Sequence, residues 1–136
     1  MLTPLDTDGP ITIQEFEKAV HRVRAQSKAP GDDGILTGFW ALGGSGAYGG
    51  RYDPSPFGAA LFELVSAMFE QGVIPEAWTT SRICPIPKKG DLQDTNNWRG
   101  ISLIPTGLQV LNSIMAGRLL RELESKEQIN PRLGSW

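Results

Sequence analysis

A chain of 136 residues has the size of one domain, and its 40% apolar content with 16 Gly and 10 Pro predicts a modest core joined by much loop. Thirteen basic residues against fifteen acidic ones give a net charge of −2, so the chain as a whole does not attract nucleic acid and any contact must come from a local patch. Cys84 and His21 are the only residues of their types, which excludes an internal disulfide and a Cys/His zinc cluster and fits a reducing, intracellular setting. Met1 to Pro10 lacks the basic and apolar regions of a secretory leader. No stretch approaches the ~20 apolar residues needed to span a bilayer, so no membrane partner is expected.

In chain order, Thr12-Ile13-Gln14-Glu15 is a capping box, with Ile11 placed to staple onto Phe16 across the first turn. The spacing of Ile13, Phe16, Val20 and Val23 predicts an amphipathic helix that fades near Gln26, before the turn-forming run Pro30 to Gly34. Residues 43–56 have no hydrophobic period and are rich in Gly and Pro, which predicts a loop within the single domain 1–136. A second helix is expected from Ser55-Pro56, with Phe57, Leu61, Leu64 and Met68 along its apolar side and Gly72 as its stop.

Residues 79–87 and 98–104 are extended candidates separated by the polar stretch Lys88 to Asn97, which predicts a hairpin with a long charged tip. Pro85 and Pro87 confine the first strand to a sheet edge. Alternation puts Arg99, Ile101 and Leu103 on one face and Trp98, Gly100 and Ser102 on the other, so Trp98 reads as packing. A last helix, from about Gly107 to Ser125, carries Leu108, Leu111, Met115, Leu119 and Leu123 on one side. Trp40, Trp78, Phe57 and Phe69 read as core aromatics. The fold class expected is α+β, helices packed with an antiparallel hairpin.

Several blocks stand in a telling order: Lys28-Ala29-Pro30-Gly31-Asp32-Asp33-Gly34-Ile35; Gly72 to Pro75 with Trp78; Ile83 to Asp91; Asn97-Trp98-Arg99-Gly100-Ile101-Ser102-Leu103; and Arg118-Leu119. Together, from about residue 11 to residue 133, they resemble the front half of non-LTR (LINE-type) retrotransposon reverse transcriptases. Asp32 and Gly100 depart from that pattern, each standing where the family often has Pro, and the Gly-rich loop 43–50 is a less standard insertion.

The resemblance implies the fingers portion of an incomplete right-hand polymerase fold. The enzyme it implies is an RNA-directed DNA polymerase whose partners are an RNA template, a DNA primer and an incoming dNTP. By resemblance, Lys88 and Lys89 at the hairpin tip face the nucleotide's phosphates, and Arg99 lies against its base and α-phosphate. On residue type alone, Lys88 to Asp91 would be a solvated charged turn.

Arg22, Arg24, Lys28 and Arg82 are candidates for template phosphates, or ordinary surface charges. The family's metal-binding aspartates lie beyond this region. No catalytic residue, metal ligand or cofactor is therefore expected here, Mg²⁺ belonging to the full-length enzyme, and the chain alone is expected to be inactive. Asp32-Asp33 reads as turn chemistry. The alternatives are a non-catalytic RNA- or protein-binding module and a retroelement remnant without independent function.

Overall fold

The computed structural model describes residues 7–25, 29–41 and 56–126. The loop 43–56 lies outside them except for its last residue, as do Lys28, the Arg24 side chain and the N-cap expected at Ser55. The described chain runs α1 (Ile13–Ala25), α2 (Thr37–Ala41), α3 (Pro56–Gln71), a 3-10 turn (Glu76–Trp78), β1 (Arg82–Pro87), a second 3-10 turn (Thr95–Asn97), β2 (Trp98–Leu103) and α4 (Thr106–Ser125). Four helices and one two-stranded antiparallel sheet make it α+β. No described helix is long and apolar enough to cross a membrane.

Helix α1 starts where the capping box requires. The Thr12 amide donates to the Glu15 carboxylate at 3.0 Å, and the Glu15 amide donates to the Thr12 hydroxyl at 3.3 Å. Ile11 and Phe16 both enter the core, with Ala19, Val20 and Val23 behind them. At the other end of α3, Gly72 takes a left-handed φ of 64° and the Val73 amide reaches back to the Met68 carbonyl at 3.2 Å. That six-residue closure satisfies a carbonyl the helix would otherwise orphan. Helix α2, to which the sequence assigns no element, is one short turn that carries Trp40 inward.

The buried faces of α3 and α4 match the expected ones only in part: Leu61, Met68, Leu108, Leu111 and Met115 lie in or against the core, but others do not. On α3 the buried residues are Gly58, Val65 and Met68, whereas Leu64 is 41% exposed. Apolar side chains occur nearly all round this helix, so their spacing alone does not choose the inward face. On α4, Gly107, Val110, Leu111, Ile114 and Arg118 are buried, while Leu119 faces outward. Of the expected stripe, Leu111 is buried and Leu108 and Met115 pack against the core, so it is Leu119 that turns out while Arg118 beside it turns in.

The core lies where α1, α3 and α4 meet, with Phe16, Val65 and Val110 fully buried and Phe16 edge-on to Phe62 at 5.6 Å. Trp40 and Trp78 close one end, ring centroids 6.0 Å apart. Phe57 and Phe69 are half-buried, Phe57 meeting Phe39 edge to face.

The hairpin projects from this body. Its register pairs Arg82 with Leu103, Cys84 with Ile101 and Ile86 with Arg99, and Lys88 N–H to the Asn97 carbonyl extends the ladder toward the tip. With Lys88 and Asn97 as a bonded pair, the backbone nitrogens of Pro85 and Pro87 point away from β2. The missing N–H groups there cost no ladder bond, and they leave that edge poor in donors for another strand.

Candidate nucleic-acid interface

Strand alternation gathers the basic residues of the hairpin. Arg82, which opens β1, and Lys88, one residue past its end, share a face with Arg99, the partner of Ile86 on the other strand. Residues 82–103 carry four basic and two acidic side chains, in a chain whose net charge is −2. The hairpin is therefore the local positive patch that the overall charge does not supply. Lys88, Lys89 and Arg99 are all exposed.

The tip is ordered by its own polar groups. Asp94 caps the 3-10 turn by accepting from the Asn96 amide at 2.9 Å, and Asp91 accepts from the Gln93 amide at 2.9 Å. Asn97 Nδ2 donates to the Asp91 carbonyl, and Lys88 Nζ donates to the Asn96 carbonyl at 3.1 Å. Trp98 spans the loop, its Nε1 donating to the Leu92 carbonyl at 3.1 Å. Its ring is 37% exposed and lies outside the core, so this bond, rather than burial, holds it across the loop. The acidic tip residues are thus engaged with backbone, while the Lys89 and Arg99 side chains make no hydrogen bond or ion pair among the described residues.

The remaining candidates fall in two other places. Arg22, on α1, donates to Ser113 of α4 at 3.3 Å and so joins two helices of the body. Arg82 pairs with Asp32 at 2.6 Å. Arg24 and Lys28 lie outside the residues whose side chains are described.

The turn that carries Asp32 seats the hairpin. Gly34, at φ 67°, closes it by donating to the Gly31 carbonyl at 3.1 Å, and Asp33 Oδ1 accepts from the Ile35 amide at 3.2 Å. Its other oxygen, Oδ2, is buried without a hydrogen-bond partner. A Cβ on Gly31 would sit 2.5 Å from Pro105 N and 2.8 Å from the Ile104 carbonyl carbon, so backbone meets backbone there. The Thr106 hydroxyl then donates to the Ile35 carbonyl at 3.0 Å. Blocks separated by some seventy residues of sequence therefore meet where the hairpin ends and α4 begins. Among the described residues no group of His, Cys, Asp and Glu is arranged to hold a metal ion.

A second polar centre holds the body together. Arg118 is 7% exposed and its guanidinium spends all of its N–H groups on named partners. Nε and one terminal nitrogen form a fork on Glu15 at 3.0 and 2.8 Å; the carbonyls of Thr7, Gly9 and Pro10 take the rest. The guanidinium also lies 5.0 Å from the Phe69 ring centroid, and Arg121 adds a second ion pair to Glu15. Arg118 stands in a sequence motif, Arg118-Leu119, that gives no sign of its place in the core. The available signal was its phase, four residues beyond Ile114 on the inward face.

The Arg118 hydrogen bonds hold the Glu15 carboxyl at about 2, below its ordinary 4.5, against the opposing effect of burial; the Thr12 amide and Arg121 lower it further. A depressed carboxylate pKa means stability present above pH ~4.5 and lost as pH falls toward ~2. Thermal melts between those limits should show a steep fall in Tm, and Glu15→Gln, which removes the titrating group, should flatten the profile.

No family model matches the sequence. The chain is 27% identical over 112 residues, 82% of its length, to the transposon TX1 uncharacterized 149 kDa protein of Xenopus laevis. It is 39% identical over 54 residues, 40% of its length, to the retrovirus-related Pol polyprotein from type-1 retrotransposable element R2 of Popillia japonica. In each case it spans 8% of the relative's length. These similarities give the chain a retrotransposon-related origin.

Proposed function

We propose that the chain is the fingers portion of a non-LTR retrotransposon reverse transcriptase, whose hairpin presents its basic face to the nucleic acid and the incoming nucleotide. The observation that carries this reading is the gathering of Arg82, Lys88 and Arg99 on one face of a projecting hairpin, with Lys89 exposed beside them at the tip. The chemistry suits phosphate. Lysine ammonium groups offer mobile point charges, and a guanidinium can stack on a base while donating two hydrogen bonds to an oxyanion. A tip ordered by its own hydrogen bonds also loses little conformational freedom when a ligand arrives.

In this reading Lys88 and Lys89 meet the triphosphate of a dNTP and Arg99 lies along its base and α-phosphate. Asp32 and Asp33, engaged in an ion pair and a turn, are not the metal-binding carboxylates of polymerisation. Arg22 is assigned to the helical body rather than to the template.

The test is binding of a labelled single-stranded oligonucleotide to the chain by fluorescence anisotropy. Replacing Lys88, Lys89 and Arg99 by Ala together is expected to weaken binding about tenfold or more at ~50 mM salt and to reduce the salt slope by about 2, the loss of three phosphate contacts. A triple variant that binds like the wild type overturns the reading.

A further inference from the structure

The hairpin is tied to the helical body by a single side-chain bond among the described residues. Hydrogen bonds made by residues 83–103 stay within the hairpin, whereas Arg82 reaches out to Asp32. Placement makes this pair geometrically determined. Gly31 abuts the backbone of Ile104 and Pro105, immediately after β2 ends, and Arg82 is paired with Leu103 at that same end. The residue after Gly31 is thereby delivered to the first residue of β1.

Magnitude decides what the pair can do. The Arg82 and Asp32 side chains are 62% and 36% exposed, and an ion pair so hydrated is weak. It is too weak for a structural strut and weak enough for another anion to displace. Arg82 already shares its face with Lys88 and Arg99, so a phosphate backbone tracking those two would meet Arg82 next.

We propose that Asp32 is a built-in competitor for nucleic-acid phosphate at Arg82. In the free chain its carboxylate holds the guanidinium where the backbone contact of Gly31 with Ile104 and Pro105 brings the two together. On binding, a backbone phosphate of single-stranded nucleic acid takes the carboxylate's place. This inference rests on the nucleic-acid reading of the hairpin and assigns Asp32 a positioning role that the reading does not require.

Two measurements on the full chain separate the inference from that reading. In ¹⁵N-labelled protein without nucleic acid, the Arg82 Nε–Hε signal is expected to shift and broaden on Asp32→Asn. A signal indifferent to the substitution overturns the pairing, whatever the binding result. With a single-stranded oligonucleotide, Asp32→Asn is expected to bind about two- to fivefold tighter than wild type and with a salt slope steeper by about 0.7. Adding Arg82→Gln should erase the gain.

Asp32→Asn binding no tighter than wild type, or a gain that persists with Arg82→Gln, overturns the competition. If neither protein binds while the Arg82 signal still responds to Asp32→Asn, the nucleic-acid reading falls and the competitor role falls with it, the ion pair alone standing.

Discussion

Arg118→Ala is expected to destabilise the chain by about 3–5 kcal/mol, the loss typical of breaking one side of a buried charge pair. The size follows from what is left behind. Glu15, 14% exposed, would keep Arg121 as its one cationic partner beside the Thr12 capping bonds, and the carbonyls of Thr7, Gly9 and Pro10 would lose their Arg118 donor. The segment 7–10 would lose its anchor on α4, and Phe69 its cation.

Arg118→Lys is not expected to rescue, because a lysine carries three donors on one atom and cannot fork on a carboxylate while reaching three separate carbonyls. Pairing Arg118→Met with Glu15→Gln removes both charges and keeps an acceptor for the capping box, so it should recover part of the loss. Urea denaturation measures all four proteins. Arg118→Ala within about 1 kcal/mol of wild type would mean that the cluster does not organise the body.

Gly107→Ala is expected to cost about 3 kcal/mol, the upper part of the range for overpacking a core. A Cβ at this position would lie 2.0 Å from Cη2 of Trp78 and 2.4 Å from its Cζ2. The indole cannot simply yield, since it is itself buried and backed by Trp40. Either α4 retreats from Trp78 or both tryptophans repack.

The same helix supplies the control. Gly117 has nothing within 4 Å of a built Cβ, so Gly117→Ala should stabilise by roughly 0.5–1 kcal/mol through helix propensity alone. Opposite signs for one substitution ten residues apart would trace the cost to Trp78; equal signs would contradict the close contact.

Much of the architecture was legible because it is written in local chemistry. The Thr12–Glu15 box starts α1, Pro56 opens α3, and Gly72 ends it with a left-handed φ. The hairpin was legible through its alternation and its polar tip, and its observed register keeps Arg99, Ile101 and Leu103 on one face. What was not legible depends on partners distant in sequence. The inward faces of α3 and α4 are chosen by packing, which turned Leu64 and Leu119 outward and Arg118 inward. Arg118 finds Glu15 more than a hundred residues away in sequence, and no periodicity reports such a pair.

The candidate site divides along the same line. Lys88 and Arg99 share a face through strand alternation, which a sequence exposes once the hairpin is recognised. The Arg82–Asp32 pair is invisible to it, because it exists only where the 31–34 turn docks beside Ile104 and Pro105. Asp32 stands where the family resemblance often has Pro, and its engagement with Arg82 gives that departure a physical consequence.

The most direct test of the central claim, that the hairpin's basic face meets nucleic acid, is ultraviolet crosslinking of the chain to a 4-thiouridine oligonucleotide followed by mass-spectrometric mapping of the labelled peptides. Crosslinks are expected to concentrate within residues 82–103 and to be suppressed by unlabelled oligonucleotide and by the Lys88, Lys89 and Arg99 alanine variant. Crosslinks confined to the helices of the body, or a hairpin yield unmoved by that variant, would contradict it.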